Sequence, residues 1–168
     1  AGLEPASQGQ VIVSGRDYAN MDEDALSRFR RSSVGIVFQS FHLVPTMTAV
    51  ENVALPLELA GVASAFEKAE AMLEEVGLAH RLAHYPAQMS GGEQQRTALA
   101  RALVANPPVL FADEPTGNLD QNTGRQIMDL ILRLADERGT TVLLITHDRA
   151  LADRCGRLET MQDGRLLS

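Results

Sequence analysis

Three apolar runs do most to limit what this chain can fold into: Val34 to Phe38, Val109 to Ala112 and Val142 to Ile145. Each has the length of a strand and almost no polar interruption, the pattern of a buried parallel strand. Stretches with helical spacing lie between them, and strands alternating with helices predict an α/β fold with a mainly parallel sheet. Polar groups stand at the carboxyl end of every run: Gln39, then Asp113 with Glu114, then Thr146 and His147. Ligands of open α/β sheets bind at that rim. One edge of the sheet is therefore expected to gather an amide, two carboxylates and an imidazole.

A second stretch, Met89 to Arg96, reads Met-Ser-Gly-Gly-Glu-Gln-Gln-Arg and opens a helical run. A serine and two glycines at a helix start favour an anion, because free N–H groups and the helix dipole point the same way. Ser90 and Glu93 have capping-box spacing, which fixes the start. Asp113 and Glu114 at a strand end suit a metal ion and a polarised water. Phosphate chemistry is the economical reading of the two stretches together.

These segments resemble the ATP-binding-cassette (ABC) ATPases, the motor subunits of ABC transporters. Ser90-Gly91-Gly92-Glu93-Gln94 is similar to the family's signature motif, Leu110 to Glu114 to its Walker B strand, and Gly117-Asn118-Leu119-Asp120 to its D-loop. Gln39 matches the Q-loop and His147 the switch histidine; Met89 stands where the family usually has leucine. The resemblance implies a P-loop NTPase-type core with an inserted α-helical subdomain. Residues 1–40 and 97–168 would form the core, and residues 41–96 the helical part ending in the signature. It implies ATP and Mg2+ as ligands. Glu114 would polarise the attacking water, His147 would contact the γ-phosphate, Asp113 would serve the metal, and Gln39 would serve the metal or hold the attacking water as a further catalytic group. Ser90, Gly91, Gly92 and Gln94 would complete the ATP site of a second cassette in a head-to-tail dimer, with Asp120 at the seam.

The implied partners are a homodimer or paired cassette and transmembrane permease subunits, with Phe41, Leu43 and Pro45 near the permease groove. The implied location is the cytoplasmic face of the inner membrane, with membrane contact only through the partner. Val37 to Phe41, Glu51 to Leu57 and Gly117 to Asp120 look like the lipoprotein-release and macrolide-export group of bacterial transporters. The family's P-loop, G-x-x-x-x-G-K-[S/T], is not found in the 168 residues. An N-terminally truncated cassette is expected from that. The alternative is a non-catalytic or remnant cassette that lends its signature to a partner.

Composition removes other classes. A net charge of −7 argues against a nucleic-acid partner, which calls for a basic face. Arg28, Arg30 and Arg31 form the one dense basic cluster, read as a solvated helix face. No run approaches the roughly 20 apolar residues of a membrane span. A single cysteine, Cys155, excludes an internal disulfide. His80 and His84 have no neighbouring cysteine or carboxylate in sequence to complete a metal site, and read as surface histidines.

Helices are expected over Asp22 to Arg31, from Ala65 with a stripe of Phe66, Ala69, Leu73 and Val76 ended by Gly77, and after Gly92 with Ala98, Leu99, Ala102 and Leu103 inside. Another has the stripe Ile127, Leu130, Ile131 and Leu134 and stops at Gly139. Arg96 and Arg101 read as structural ion-pair donors. Gln10 to Val13 is expected as a short strand, and Leu158 to Leu167 as a hairpin turning at Asp163-Gly164.

Overall fold

In the computed structural model, which describes residues 1–167, the first element is a hairpin of β1 (Ile12–Val13) and β2 (Arg16–Asp17). It is shorter than the expected Gln10–Val13 strand. Ser14 and Gly15 both take left-handed angles, φ 48° and 73°, the mirror-image turn that suits strand twist. Helix α1 (Glu23–Ser33) starts at Asp22, whose carboxylate accepts from the Ala25 N–H at 2.7 Å. Its last turn carries Arg30 and Arg31, which act as staples rather than as a free basic face. Arg30 donates to the Gly2 carbonyl at 2.5 Å and Arg31 to the Leu59 carbonyl at 2.8 Å.

Strand β3 (Val34–Phe38) has the bounds its apolar run predicts. Helix α2 (Ala49–Leu59) opens at Thr48 with a capping box to Glu51. Buried Asn52 folds the preceding segment onto it. Its Oδ1 accepts from the Val44 N–H at 2.8 Å, and its Nδ2 donates to the carbonyls of Val44, Met47 and Thr48 at 3.1, 3.0 and 3.0 Å. Helix α3 (Ala65–Glu75) ends where Gly77, at φ 78°, lets the Leu78 N–H reach the Leu73 carbonyl at 2.7 Å. Its buried face is Ala65, Ala69, Met72 and Leu73, and Phe66 is 41% exposed on the outside, contrary to the expected stripe. Ala65 and Met72 take the inner positions because they lie four and three residues from buried Ala69, on one face of the helix.

Helix α4 (Gly91–Leu103) buries Ala98, Leu99, Ala100 and Leu103 and stops short of Pro107-Pro108. It leads to β4 (Val109–Asp113), α5 (Gln121–Arg138) and β5 (Thr141–Ile145). Gly139, at φ 63°, closes α5. A short helix α6 (Arg149–Ala152) follows, then a hairpin of β6 (Thr160–Gln162) and β7 (Arg165–Leu167) turning on Asp163 and Gly164, both left-handed.

The central sheet is parallel, in the order β3-β4-β5. Val37 of β3 and Leu110 of β4 join Leu99, Leu103, Ile127 and Ile131 in one core. Gly35 lets α4 approach: a Cβ there would lie 2.5 Å from the Ala102 carbonyl oxygen. β5 departs from the expected buried strand. Its residues alternate, with Leu143 and Ile145 48% and 44% exposed, because Val142 and Leu144 pack against the core on the α5 side and the described residues leave the other face open.

Candidate functional site

Register sets the rim. Phe38, Asp113 and Ile145 lie in one row across the sheet, so Gln39, Glu114 and Thr146 begin the loops immediately beyond it. The Glu114 N–H donates to the Ile145 carbonyl at 2.9 Å, which continues the β4–β5 ladder into the loop. Glu114 itself takes a left-handed φ of 45°, an uncommon angle for a residue with a side chain and one that turns the chain sharply out of the strand.

Glu114 and His147 are joined directly. Glu114 Oε1 accepts from the His147 backbone N–H at 2.9 Å and lies 2.7 Å from His147 Nδ1. That contact requires a proton on Nδ1 and leaves Nε2 as the second ring position. The Glu114 side chain is 22% exposed and His147 is 86% exposed, so the carboxylate is sheltered and the ring is not. Gln39 pairs with a different loop. Its Nε2 donates to Asn118 Oδ1 at 3.3 Å, and Asn118 Nδ2 donates to the Gln39 carbonyl at 3.0 Å. Gly117 makes that approach possible, since a Cβ there would stand 2.7 Å from Gln39 Nε2.

Asp113 is exposed at the end of β4 and makes no side-chain hydrogen bond among the described residues. Asp113 and Gln39 offer hard oxygen donors, which suit Mg2+. No group of three or more His, Cys, Asp and Glu that could hold a metal occurs among the described residues. These donors therefore fit a magnesium ion that keeps waters and phosphate oxygens as its other ligands, as that ion prefers.

The Ser90 segment forms a separate centre. Ser90 caps α4: its N–H and hydroxyl donate to Glu93 Oε2 at 2.8 and 2.9 Å, and its Oγ accepts from the Glu93 N–H at 3.3 Å. Arg81 adds an ion pair to Glu93 Oε1 at 2.7 Å. The Ser90 N–H above all, with Arg81, holds the Glu93 carboxyl down to about 2. Gly91 and Gly92 are tight, their would-be Cβ atoms 3.3 Å from Leu119 Cδ2 and 2.8 Å from Thr123 Cγ2. Gln94 turns back on its own helix, its Nε2 donating to the Met89 carbonyl at 3.1 Å. Beside them a cleft of about 540 Å³ is lined by Leu78, His80, Arg81, Ser90, Gly92 and Thr123. His84 faces Arg81 at 3.1 Å and His80 lies 4.0 Å from Glu93, so the two histidines serve different neighbours. Asp120 caps α5 and accepts from the N–H groups of Asn122 and Thr123, both at 3.0 Å. The Thr123 hydrogen bonds foremost hold its carboxyl below the usual range.

The fold thus brings Gln39, Asp113, Glu114 and His147 to one rim and keeps Ser90 to Gln94 at another helix start, hydrogen-bonded within their own segment. Two expected ion-pair donors prove to be carbonyl clamps. Arg96 donates to the Val76 carbonyl at 3.1 Å, and Arg101 to those of His42 and Phe41 at 2.7 and 2.9 Å. Arg101 thereby holds two consecutive left-handed residues, Phe41 and His42 (φ 58° and 49°). Sequence reasoning quoted Asn118 and Gln95 within motifs but gave neither a role of its own. Gln95 left one signal: it lies four positions before Leu99, on the buried face of its helix.

Comparison with known proteins adds independent findings. The family model described as ABC transporter matches residues 1–117. The uncharacterized ABC transporter ATP-binding protein YbbA of Escherichia coli K12 is 54% identical over 168 residues, 99% of this chain and 74% of the relative. The lipoprotein-releasing system ATP-binding protein LolD of Geobacter metallireducens is 46% identical over 168 residues, 99% of this chain and 75% of its own. A dimeric post-hydrolysis structure of the ATP-binding cassette MJ0796, bound to ADP and Pi, superposes with a TM-score of 0.87 at 39% identity. It covers 98% of this chain and 73% of that one. Glu114 and Gly117 lie inside the family match; Asp120 and His147 lie beyond it, in the part spanned by YbbA and LolD.

Proposed function

The chain belongs to the ABC transporter family, and from that premise we propose that it is the ATP-hydrolysing motor of a bacterial ABC transporter. It works as a head-to-tail pair of cassettes, a homodimer or two related chains. Transmembrane permease subunits hold it at the cytoplasmic face of the inner membrane. LolD relatives at 46% identity support a place in the lipoprotein-release and macrolide-export group. Core residues 1–40 and 97–168 surround a helical subdomain over 41–96 in this reading, and Phe41, Leu43 and Pro45 border the groove that receives the permease.

The observation that carries the reading is the Glu114–His147 pair at the carboxyl rim. His147 occupies Oε1 of Glu114, and the other oxygen is the one left to accept a proton from water attacking the γ-phosphate. With Nδ1 committed to Glu114, His147 offers Nε2 to a γ-phosphate oxygen, as a donor when the ring is protonated. Asp113 and Gln39 would hold Mg2+, which when bound would supply positive charge to offset that of the phosphates. Gln39 reaches Asn118 through Nε2 and its own backbone carbonyl, which leaves its side-chain Oε1 without a partner among the described residues and open to the metal. The N–H groups of Gly91 and Gly92 at the start of α4 bind the phosphates of the partner's ATP, with the Ser90 hydroxyl and Gln94 beside them.

No G-x-x-x-x-G-K-[S/T] pattern occurs in the 168 residues, which favours one second reading: a cassette that lends its signature to a partner without turning ATP over itself. ATP titration and phosphate release with magnesium, on the complete protein that carries these residues and on its Glu114→Gln variant, separate the two. The motor reading expects turnover to fall at least about 100-fold in the variant, with ATP affinity within about twofold. Near-normal turnover in the variant would overturn the role of Glu114, and a complete protein that never binds ATP would favour the signature donor.

A further inference from the structure

Gln95 is fully buried on α4, a helix whose other inward residues are apolar or small. Its Nε2 donates to the Pro115 carbonyl at 2.5 Å and reaches the Phe38 carbonyl at 3.4 Å. These two acceptors are not ordinary core carbonyls. One immediately precedes Gln39 and the other immediately follows Glu114. Two carbonyl oxygens facing the same amide end fix which end carries the nitrogen, because an oxygen there would be repelled by both. Gln95 Oε1, by contrast, is buried and has no partner among the described residues. A polar side chain kept in a core with one end unsatisfied is held there by what its other end does.

We propose that Gln95 is a positioning residue. Its two amide hydrogens hold the loop of Gln39 and the loop of Glu114 at a set separation, and tie both to the helix that begins at Ser90. A shift of that helix then moves the metal-side amide and the water-side carboxylate together. The catalytic meaning of the clamp rests on the roles proposed above for Gln39 and Glu114, but the clamp itself is measured without nucleotide. Either can therefore fail while the other stands.

The test is amide hydrogen exchange, resolved to single residues, on the full chain and on Gln95→Leu and Gln95→Glu. The two clamped loops are closed by the Phe41 N–H on the Phe38 carbonyl and the Gly117 N–H on the Glu114 carbonyl. Leucine keeps the volume and removes both the donor and the orphaned oxygen. Exchange at Phe41 and Gly117 should rise about tenfold or more in Gln95→Leu, while the amides of Ala100 to Leu103 stay within about twofold. Unchanged exchange at both reporters would overturn the proposal, and so would an equal rise along α4, which marks simple loss of packing. Gln95→Glu decides the matter if the leucine variant does not fold. Its carboxylate offers only acceptors to the two carbonyls and its acid form a single donor, so at least one of the two reporters should loosen in either form. Unchanged exchange at both reporters would refute the clamp.

Discussion

Replacing Glu93 by alanine isolates what fixes the start of the Ser90 helix. The carboxylate closes a capping box with Ser90 and accepts from Arg81 at 2.7 Å. A lost cap of this kind costs about 1 kcal/mol, a lost acid in a helix's first turn about 0.3–1, and a part-exposed ion pair about 0.5. The carboxyl's fall from 4.5 to about 2 sets an upper bound of about 3 kcal/mol by linkage. Glu93 lies near the surface, with its side chain 20% exposed, so water screens part of that. About 2 kcal/mol at pH 7 is the expected cost. A carboxyl depressed in the folded state stabilises fully above its unfolded value, and the contribution is lost as pH falls through its folded value. The penalty of Glu93→Ala should therefore be level above about pH 5, fall below half by pH 3, and continue to fall toward pH 2. Urea unfolding of both proteins at pH 7, 4 and 3, with m unchanged between them, reads this directly. A penalty that stays equal across that range, or is under about 0.5 kcal/mol at pH 7, would refute the account of the Glu93 charge.

Two further substitutions probe the supports of the rim. Asn52→Ala removes four hydrogen bonds and strands the half-buried Val44 N–H, so thermal and urea unfolding should show a loss of about 2 kcal/mol. A loss below about 1 kcal/mol would mean that the segment after Gln39 reorganises freely. Gly35→Ala drives a Cβ to 2.5 Å from the Ala102 carbonyl oxygen, and should cost about 1–3 kcal/mol by forcing β3 and α4 apart. Gly156→Ala, with nothing within 4 Å of its would-be Cβ, is the control and should stay within about 0.5 kcal/mol. Equal effects in the two would remove the packing explanation.

Much of the rim could be read from the chain because its signals are local. The run Val34 to Phe38 fixes a strand and the position of Gln39 just past it. Ser90 and Glu93 satisfy each other across one helical turn. Gly77, Gly139 and the Asp163-Gly164 pair stop elements where a left-handed angle is needed. Each depends on residues within a few positions, so sequence order alone determines it. Parallel pairing then needs only the apolar runs in register to bring Gln39, Glu114 and His147 to the same edge.

Tertiary structure decided what rests on partners far away in the chain. Gln39 meets Asn118 across 79 positions, Gln95 meets Phe38 across 57, and Arg101 meets Phe41 across 60. No local pattern names such partners, because a glutamine or arginine side chain can reach any carbonyl that packing brings close. Phe66 turned outward and β5 kept an open face for the same reason. A hydrophobic pattern gives the faces an element could bury, and only the neighbours that arrive determine which face is covered.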